Sequence, residues 1–181
     1  MNITIQLITP EDIKEVLEVY APYIEETSIS FEYEVPSMEE FTERVNAVTQ
    51  QYPWLVAKQN GMVVGYAYGM THRSRTAYQW SAEVAIYIAK DYRSKGVGKQ
   101  LYEQLFELLA QQGYRTAFAG MTMPNERSEA LHLSCGFEEI GVFKNIGFKN
   151  NEWHSVKWFQ KQLGEYIAGI EKPRPIDKLK S

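Results

Sequence analysis

A short basic segment with two glycines lies at residues 93–99 and has the composition of an anion-binding loop. It reads Arg93, Ser94, Lys95, Gly96, Val97, Gly98, Lys99. An apolar, β-branched run precedes it, and leucines recur at helical spacing after it. The first N–H groups of a helix lack intrahelical partners, and the helix dipole is positive there. Glycines also let an anion approach the backbone closely, so the pattern predicts a phosphate or pyrophosphate site.

Two common phosphate-binding motifs do not describe this segment. The Gly-Lys-Ser/Thr ending of a P-loop is missing, because Gln100 follows Lys99. The dinucleotide-binding fingerprint fails as well, because Leu101 stands at its third glycine position. The simpler alternative is a solvated basic loop in front of an ordinary helix.

A second candidate for chemistry is Glu83, which lies inside the apolar run before the loop. A carboxylate among apolar neighbours is costly unless it is paired or functional. Burial raises the pKa of a carboxyl toward neutrality, as a general base requires. The alternative is a solvated glutamate at a sheet edge.

Composition restricts the class of protein. The chain has 181 residues, 44% of them hydrophobic and 23% charged, which suits one soluble domain with a substantial core. A net charge of −4 argues against a general nucleic-acid binder. No stretch approaches the length of a membrane span, and no signal peptide is visible, so we expect a cytoplasmic protein.

Cysteine and histidine are too few for several kinds of site. The only cysteine, Cys135, excludes an intramolecular disulfide, and its apolar neighbours indicate a packing thiol. Three histidines and one cysteine show no metal-ligand spacing, so we expect no metal.

The elements that must position these residues follow from periodicity, capping residues and turn signals. Strands are predicted at 3–8, 54–58, 62–71, 78–88, 116–121, 137–148 and 152–161, helices at 9–26, after 37, after the basic loop to 113 and at 125–135, and an extended segment at 28–35. This order predicts an α/β (α+β) fold, a mixed, mostly antiparallel sheet of about seven strands flanked by about four helices. Residues 1–172 would form a single domain, and residues 173–181 a flexible tail.

A strand, then Arg-x-x-Gly-x-Gly, then a helix resembles the acyl-CoA pyrophosphate loop of the GNAT superfamily of N-acetyltransferases. The order of elements resembles that fold over nearly the whole chain. The resemblance implies acetyl-CoA as co-substrate, with its pyrophosphate on residues 93–99 and its pantetheine arm along the preceding strand. The main chain of Ile86, Tyr87 and Ile88 would pair with the arm, and Asn125 and Ser134 would also contact it. Glu83 would then lie near the thioester, at ~3.3 Å per strand residue.

The segment from His72 to Glu83 resembles one subfamily more closely, the phosphinothricin N-acetyltransferases and their methionine-sulfone and methionine-sulfoximine relatives. Further matches to it lie at residues 20–23, 27–32, 36–37, 131–132, 135–137 and 153–156. The resemblance implies an amino-acid-like substrate and a homodimer. It places the following residues around the substrate: Phe31, Arg73, Ser74, Arg75, Glu83, Val84 and Ala85.

His132 occupies a position where many GNAT relatives carry a tyrosine that protonates the leaving thiolate. The subfamily also has histidine there. A thiolate needs little acid help, so catalytic and structural roles for His132 both remain open.

The expected reaction is direct acetyl transfer to the α-amine of small acidic amino-acid analogues, with Glu83 as general base and no acyl-enzyme. One alternative is a GNAT enzyme for another primary amine, such as a polyamine, an aminoglycoside or a protein N-terminus. A third possibility is a non-catalytic acyl-CoA sensor.

Overall fold

One seven-stranded sheet runs through the molecule, which we describe from a computed structural model over residues 2–180. Its strands are β1 (Thr4–Leu7), β2 (Trp54–Gln59), β3 (Met62–Thr71), β4 (Ser81–Ile88), β5 (Thr116–Thr122), β6 (Glu138–Lys149) and β7 (Glu152–Gln162). They lie in the order β1-β2-β3-β4-β5-β7-β6. Every neighbouring pair is antiparallel except β4 and β5, which are parallel.

Four α-helices flank the sheet: α1 (Ile13–Glu25), α2 (Met38–Thr49), α3 (Val97–Gln112) and α4 (Glu126–Ser134). Short 3-10 turns occur at Pro10–Asp12, Thr76–Tyr78, Lys90–Tyr92 and Ile176–Lys180. Local chemistry sets several helix ends. Ser37 and Glu40 form the capping box that opens α2, and Gly113, with φ 105°, ends α3 in the left-handed conformation. No helix among residues 2–180 is both long and apolar enough to cross a membrane.

The sheet has a separate hydrophobic core on each face, because successive strand residues point to opposite sides. On one face, α3 packs Leu101, Leu105 and Leu109 against β2, β3 and β4. On the other, α1 and α2 pack against Trp54 and Tyr66 of the central strands. Both faces of the sheet are therefore covered at its centre.

The predicted fold is confirmed, with seven strands and four helices in the expected order. Segment 28–35 is a loop with no strand pairing, and β4 begins at Ser81 because residues 76–78 form a 3-10 turn. The C-terminal segment after residue 172, which we expected to be a flexible tail, packs in part against the domain. The Arg174 N–H donates to the Gln112 carbonyl at the end of α3. The Ile176 N–H donates to the Gln51 carbonyl shortly before β2, and Ile176 is only 7% exposed. The tail packs because an apolar Ile176 gains from burial among the aromatic residues that adjoin β2.

Candidate active site

A gap opens between β4 and β5 in the middle of the sheet. The two strands pair only where Ser81–Glu83 face Thr116–Phe118. Beyond Glu83, β4 continues to Ile88 and β5 to Thr122 without pairing to each other. Backbone groups on this stretch of β4 are therefore left without a strand partner on one side.

Hydrogen bonds at both ends of β4 show which of its backbone groups face the gap. The Ala89 N–H donates to the Val64 carbonyl on β3, whereas the Trp80 carbonyl accepts from Arg115, just before β5. Because backbone groups alternate in direction along a strand, even-numbered residues of β4 face β5 and odd-numbered residues face β3. Val84, Ile86 and Ile88 therefore present their main chain to the gap.

Two of the three predicted main-chain contacts need revision. The register directs the main chain of Tyr87 toward Tyr66 on β3, so it is not available to a molecule in the gap. Ile88 faces the gap, but the Tyr23 hydroxyl accepts from its N–H at 3.2 Å and donates to its carbonyl at 2.6 Å. The main chains of Ile86 and Val84 face the gap as well, so contact of Ile86 with a pantetheine arm stays a prediction.

The basic loop lies at the outer end of the gap and leads into α3. Gly96 precedes Val97 with φ 81°, and a Cβ built on it would meet only the end of Gln100, at 3.9 Å. The space beside the backbone is therefore open, and the first N–H groups of α3 have no intrahelical acceptor. This arrangement suits a pyrophosphate.

The cations of the loop are partly held by aromatic rings. The Arg93 guanidinium lies 4.8 Å from the Tyr23 ring centroid, and its Nε donates to the Ile88 carbonyl at 3.3 Å. Lys95 lies 5.3 Å from the ring centroid of Tyr92. Ser94 has φ 58°, which turns the chain toward α3. Lys99 forms an ion pair with Glu103 one helical turn later, with 3.8 Å between Nζ and Oε1.

The second glycine of the loop, Gly98, has a packing role. A Cβ on Gly98 would lie 2.9 Å from Cδ2 of Leu131 on α4 and 3.6 Å from Cδ1 of Ile86. Gly98 thus allows α3, α4 and β4 to pack closely, and Gly96 alone leaves open space for an anion.

Glu83 lies where pairing between β4 and β5 ends, and among the described residues it has one side-chain hydrogen-bond partner. Its Oε2 is 3.2 Å from Nδ1 of His72, the residue after β3. Burial raises the pKa of Glu83 above that of an ordinary glutamate, and the hydrogen bond to His72 opposes this rise. A half-buried carboxylate with a raised pKa has the properties required of a general base.

Phe118 and Gly120 of β5 lie on the same side of the sheet as Glu83, because Phe118 is its register partner. Gly120 on β5 is exposed although it lies within a central strand, and the Trp158 ring and Val156 of β7 lie beside it. The Phe31 ring covers Gly147 of β6, where it leaves no room for a Cβ. The Ile29 carbonyl accepts from Thr122 at 3.2 Å, so the loop that carries Phe31 is tied to the end of β5.

The predicted substrate-binding residues divide into two groups. Arg73, Ser74 and Arg75 are exposed on the loop that begins at His72, and the Arg73 guanidinium lies 5.6 Å from the Tyr78 ring centroid. Neither arginine makes an ion pair within the part of the chain that the structure describes. Ala85 shares the face of Glu83, whereas the Val84 side chain points into the opposite core and is 3% exposed. Val84 can serve a ligand through its main chain only.

His132 is enclosed in the core under α4. Its Nδ1 donates to the Ser128 carbonyl at 2.6 Å, its Nε2 faces the Tyr102 hydroxyl at 3.0 Å, and its ring stacks on Phe159. Burial lowers the pKa of His132, which keeps the ring neutral. Both nitrogens are occupied and the side chain is 3% exposed, so the geometry favours the structural alternative.

The remaining candidates lie on or beside α4. Asn125 is the N-cap of α4 and accepts from the Ser128 N–H at 3.2 Å. Ser134 is exposed, and its hydroxyl donates to the Leu131 carbonyl. Burial raises the pKa of the Cys135 thiol, which disfavours the thiolate that a nucleophile needs. No three His, Cys, Asp or Glu side chains among residues 2–180 come together as metal ligands.

Sequence reasoning assigned no role to two residues that the structure places at the site, His72 and Tyr23. His72 lies eleven residues before Glu83, and only the antiparallel pairing of β3 with β4 brings them together. Tyr23 belongs to an amphipathic helix, where it is typical of a core residue. The sequence offered one indication for His72, a histidine at the start of the loop that carries Arg73 and Arg75.

Comparisons with known proteins agree with this geometry. A family model described as "Acetyltransferase (GNAT) domain" matches residues 5–158. The chain is 29% identical over 177 residues to the phosphinothricin N-acetyltransferase of Streptomyces viridochromogenes, covering 98% of this chain and 96% of that one. It is 32% identical over 117 residues to the L-methionine sulfoximine/L-methionine sulfone acetyltransferase of Salmonella typhimurium, covering 65% and 68%. It also resembles the crystal structure of a phosphinothricin acetyltransferase from Sinorhizobium meliloti in complex with AcCoA, with a TM-score of 0.88, 32% identity and coverage of 94% and 96%.

Proposed function

Because this chain belongs to the GNAT family of acetyltransferases, we propose that it acetylates the α-amino group of small acidic amino-acid analogues. The chain is an N-acetyltransferase, and acetyl-CoA is its acetyl donor. Analogues of glutamate or methionine with a phosphinate, sulfone or sulfoximine group are the substrates that we favour.

The observation that carries the proposal is the gap between β4 and β5, which joins the basic loop to Glu83. Glu83 and Ile88 are five residues apart along β4, which is about 16 Å at ~3.3 Å per residue. An extended arm in this gap would have its pyrophosphate on the loop and its thioester near Glu83. The polar main-chain groups of Val84 and Ile86 face the gap and suit the amides of such an arm.

In the proposed mechanism Glu83 removes a proton from the substrate ammonium, directly or through a water. The acetyl donor supplies an activated thioester carbonyl, which the free amine attacks without an acyl-enzyme. The Ile86 N–H faces the place where negative charge develops on that carbonyl oxygen, and a preorganised donor there stabilises the transition state. The raised pKa of Cys135 supports direct transfer, because its thiol is a poor nucleophile.

Two observations support an acidic substrate. The relatives whose sequences match this chain bear names of phosphinothricin and methionine sulfoximine or sulfone acetyltransferases. Arg73 and Arg75 are exposed beside His72, and arginine binds carboxylates and phosphinates in bidentate geometry. A polyamine or aminoglycoside, being cationic, would be repelled by these two residues.

We also propose that the protein acts as a homodimer. β6 is an edge strand, and it carries the apolar side chains Ile140, Phe143, Ile146 and Phe148, between 43% and 54% exposed. An exposed apolar edge strand can pair with another chain, and exposed apolar patches mark interaction sites. Light scattering after size exclusion should give twice the mass of one chain, which is 20.9 kDa. Ile146→Lys should lower the measured mass toward that of the monomer.

A substrate profile tests the proposed function. Thiol release from acetyl-CoA would be measured with phosphinothricin, methionine sulfone, methionine sulfoximine, glutamate and spermidine at equal concentration. We expect the first three to give the highest kcat/KM. Much faster turnover of spermidine would overturn the substrate class, and tight acetyl-CoA binding without turnover of any amine would favour a sensor.

A further inference from the structure

The contact between His72 and Glu83 is held rigidly from several sides. Nδ1 of His72 lies 3.2 Å from Oε2 of Glu83. The His72 ring stacks on Phe118 at a centroid distance of 4.4 Å and an angle of 13°, and it meets Trp158 edge-on at 5.8 Å. Only 13% of the His72 side chain is exposed. Packing of this kind fixes the direction in which Nδ1 points.

The electrostatic surroundings leave His72 as the main partner of the carboxylate. Glu83 forms no ion pair with lysine or arginine within residues 2–180. Tyr68 on β3 is a further titratable group that interacts with Glu83. β5 and β7 contribute Phe118 and Trp158, which carry no charge. Arg73 and Arg75 lie farther along the loop of His72.

We propose that His72 is a positioning residue whose Nδ1–H holds Glu83 as a carboxylate and aims its free oxygen, Oε1, at the substrate amine. This inference rests on the proposed function, and it adds to that function the residue that prepares the base. In the step concerned, one N–H bond of the substrate ammonium breaks and its proton goes to Oε1. The electron pair stays on the nitrogen for attack on the acetyl carbonyl.

The two influences on Glu83 have opposite signs. Burial favours the neutral acid, and the hydrogen bond from His72 favours the carboxylate. Without His72, burial acts unopposed, and the pKa of Glu83 should rise. The base would then be protonated at a pH where the wild-type enzyme is active.

Two substitutions at position 72 separate the hydrogen bond from the packing. His72→Phe keeps an aromatic ring against Phe118 but has no donor. His72→Asn loses the ring, but its amide nitrogen can occupy the place of Nδ1 and donate to Oε2. A role in packing alone predicts that His72→Asn is the more damaging change, whereas our proposal predicts the reverse.

The first measurement is the titration of the Glu83 carboxyl by ¹³C NMR, with Glu83→Gln for assignment. A charged hydrogen bond of the usual strength corresponds to about 1–2 pH units, so His72→Phe should raise the Glu83 pKa by that amount, and His72→Asn should leave it close to wild type. Because no turnover is needed, the result is independent of the substrate class. An unchanged Glu83 titration in His72→Phe would overturn the inference.

The second measurement is the pH profile of kcat/KM with the best amine. The acidic limb of the profile should move to higher pH by the same amount in His72→Phe, and it should stay at the wild-type pH in His72→Asn. At a pH above the limb, the activity of His72→Phe should return to within a few-fold of wild type. Equal losses in both variants at every pH would refute the positioning role, even if the proposed function holds.

Discussion

The Tyr102 hydroxyl lies 3.0 Å from Nε2 of His132, and both side chains are buried. Since Nδ1 of the same ring donates to the Ser128 carbonyl, Nε2 is the acceptor and Tyr102 is the donor. The histidine thus links α3 to α4 beneath the site. Both ring nitrogens of His132 are therefore engaged by protein groups inside the core.

His132→Asn should therefore weaken the fold more than the chemistry. The amide can still donate to Ser128, but the Tyr102 hydroxyl loses its acceptor, which costs about 1–3 kcal/mol of unfolding free energy. We expect kcat/KM of the folded variant to stay within a few-fold of wild type. A loss of more than a hundredfold in kcat without loss of stability would instead make His132 the general acid.

The same residue predicts a pH dependence of stability. Burial lowers the pKa of His132 in the folded state, so protonation favours the unfolded chain. Its contribution to stability is complete above its ordinary pKa of about 6.5 and is lost as the pH falls below it. Urea denaturation at pH 7.5 and 5.5 should show that the difference in unfolding free energy between wild type and His132→Asn is smaller at pH 5.5.

Glu83→Gln keeps the shape of the side chain and removes the base. The rate at neutral pH should fall by about 10²–10⁴-fold, the usual contribution of general-base catalysis. The loss should shrink at high pH, where more of the substrate amine is already deprotonated. Steady-state kinetics across the pH range would check this, and a variant with wild-type rates throughout would remove Glu83 from the mechanism.

Arg73→Ala and Arg75→Ala should each raise the KM for phosphinothricin or methionine sulfone. A charged hydrogen bond is worth ~1.5–3 kcal/mol, so the expected increase is about tenfold or more. Acetyl-CoA binding should barely change, because the basic loop lies at the other end of β4. Normal KM values combined with weaker acetyl-CoA binding would show that these arginines serve the donor.

Gly96→Asp should abolish tight acetyl-CoA binding by placing a negative side chain in the open space beside the start of α3. Gly61→Asp is the matched control, because Gly61 has nearly the same φ, 83°, in the hairpin turn between β2 and β3, and a Cβ built on it would meet no heavy atom within 4 Å. Both changes strain the backbone equally. Calorimetry should show lost affinity for the first and near-normal affinity for the second; similar affinities would exclude the loop from the donor site.

Lys149→Met should loosen the loop that carries Phe31. The Lys149 ammonium donates to the Ile24 carbonyl at 2.6 Å and to the Ser30 carbonyl at 2.8 Å, and it is 3% exposed. Methionine fills similar space but leaves both carbonyls unpartnered, which costs about 1–3 kcal/mol. We expect a lower melting temperature and a higher KM for the amine, with KM for acetyl-CoA unchanged. Exposed Lys144→Met on the same strand is the control.

Local interactions made much of this protein predictable from its sequence. The capping box of Ser37 and Glu40, the N-cap at Asn125 and the C-cap at Gly113 each depend on residues within one helical turn. Alternation and helical periodicity gave the order of elements for the same reason. Together with the basic loop and the segment before Glu83, that order was sufficient to predict the GNAT fold.

Long-range packing decided what the sequence left open. Whether Ile86 or Tyr87 faces the gap depends on strand register, which is set by pairing across the sheet. Gly98 contacts Leu131 and His132 contacts Tyr102, and each contact joins helices about thirty residues apart. The partner of Glu83 is His72 because β3 and β4 are antiparallel, an arrangement that no local pattern in either strand specifies. Sequence patterns report a residue's own periodicity and neighbours, whereas hydrogen-bond partners and burial are fixed only when distant segments meet.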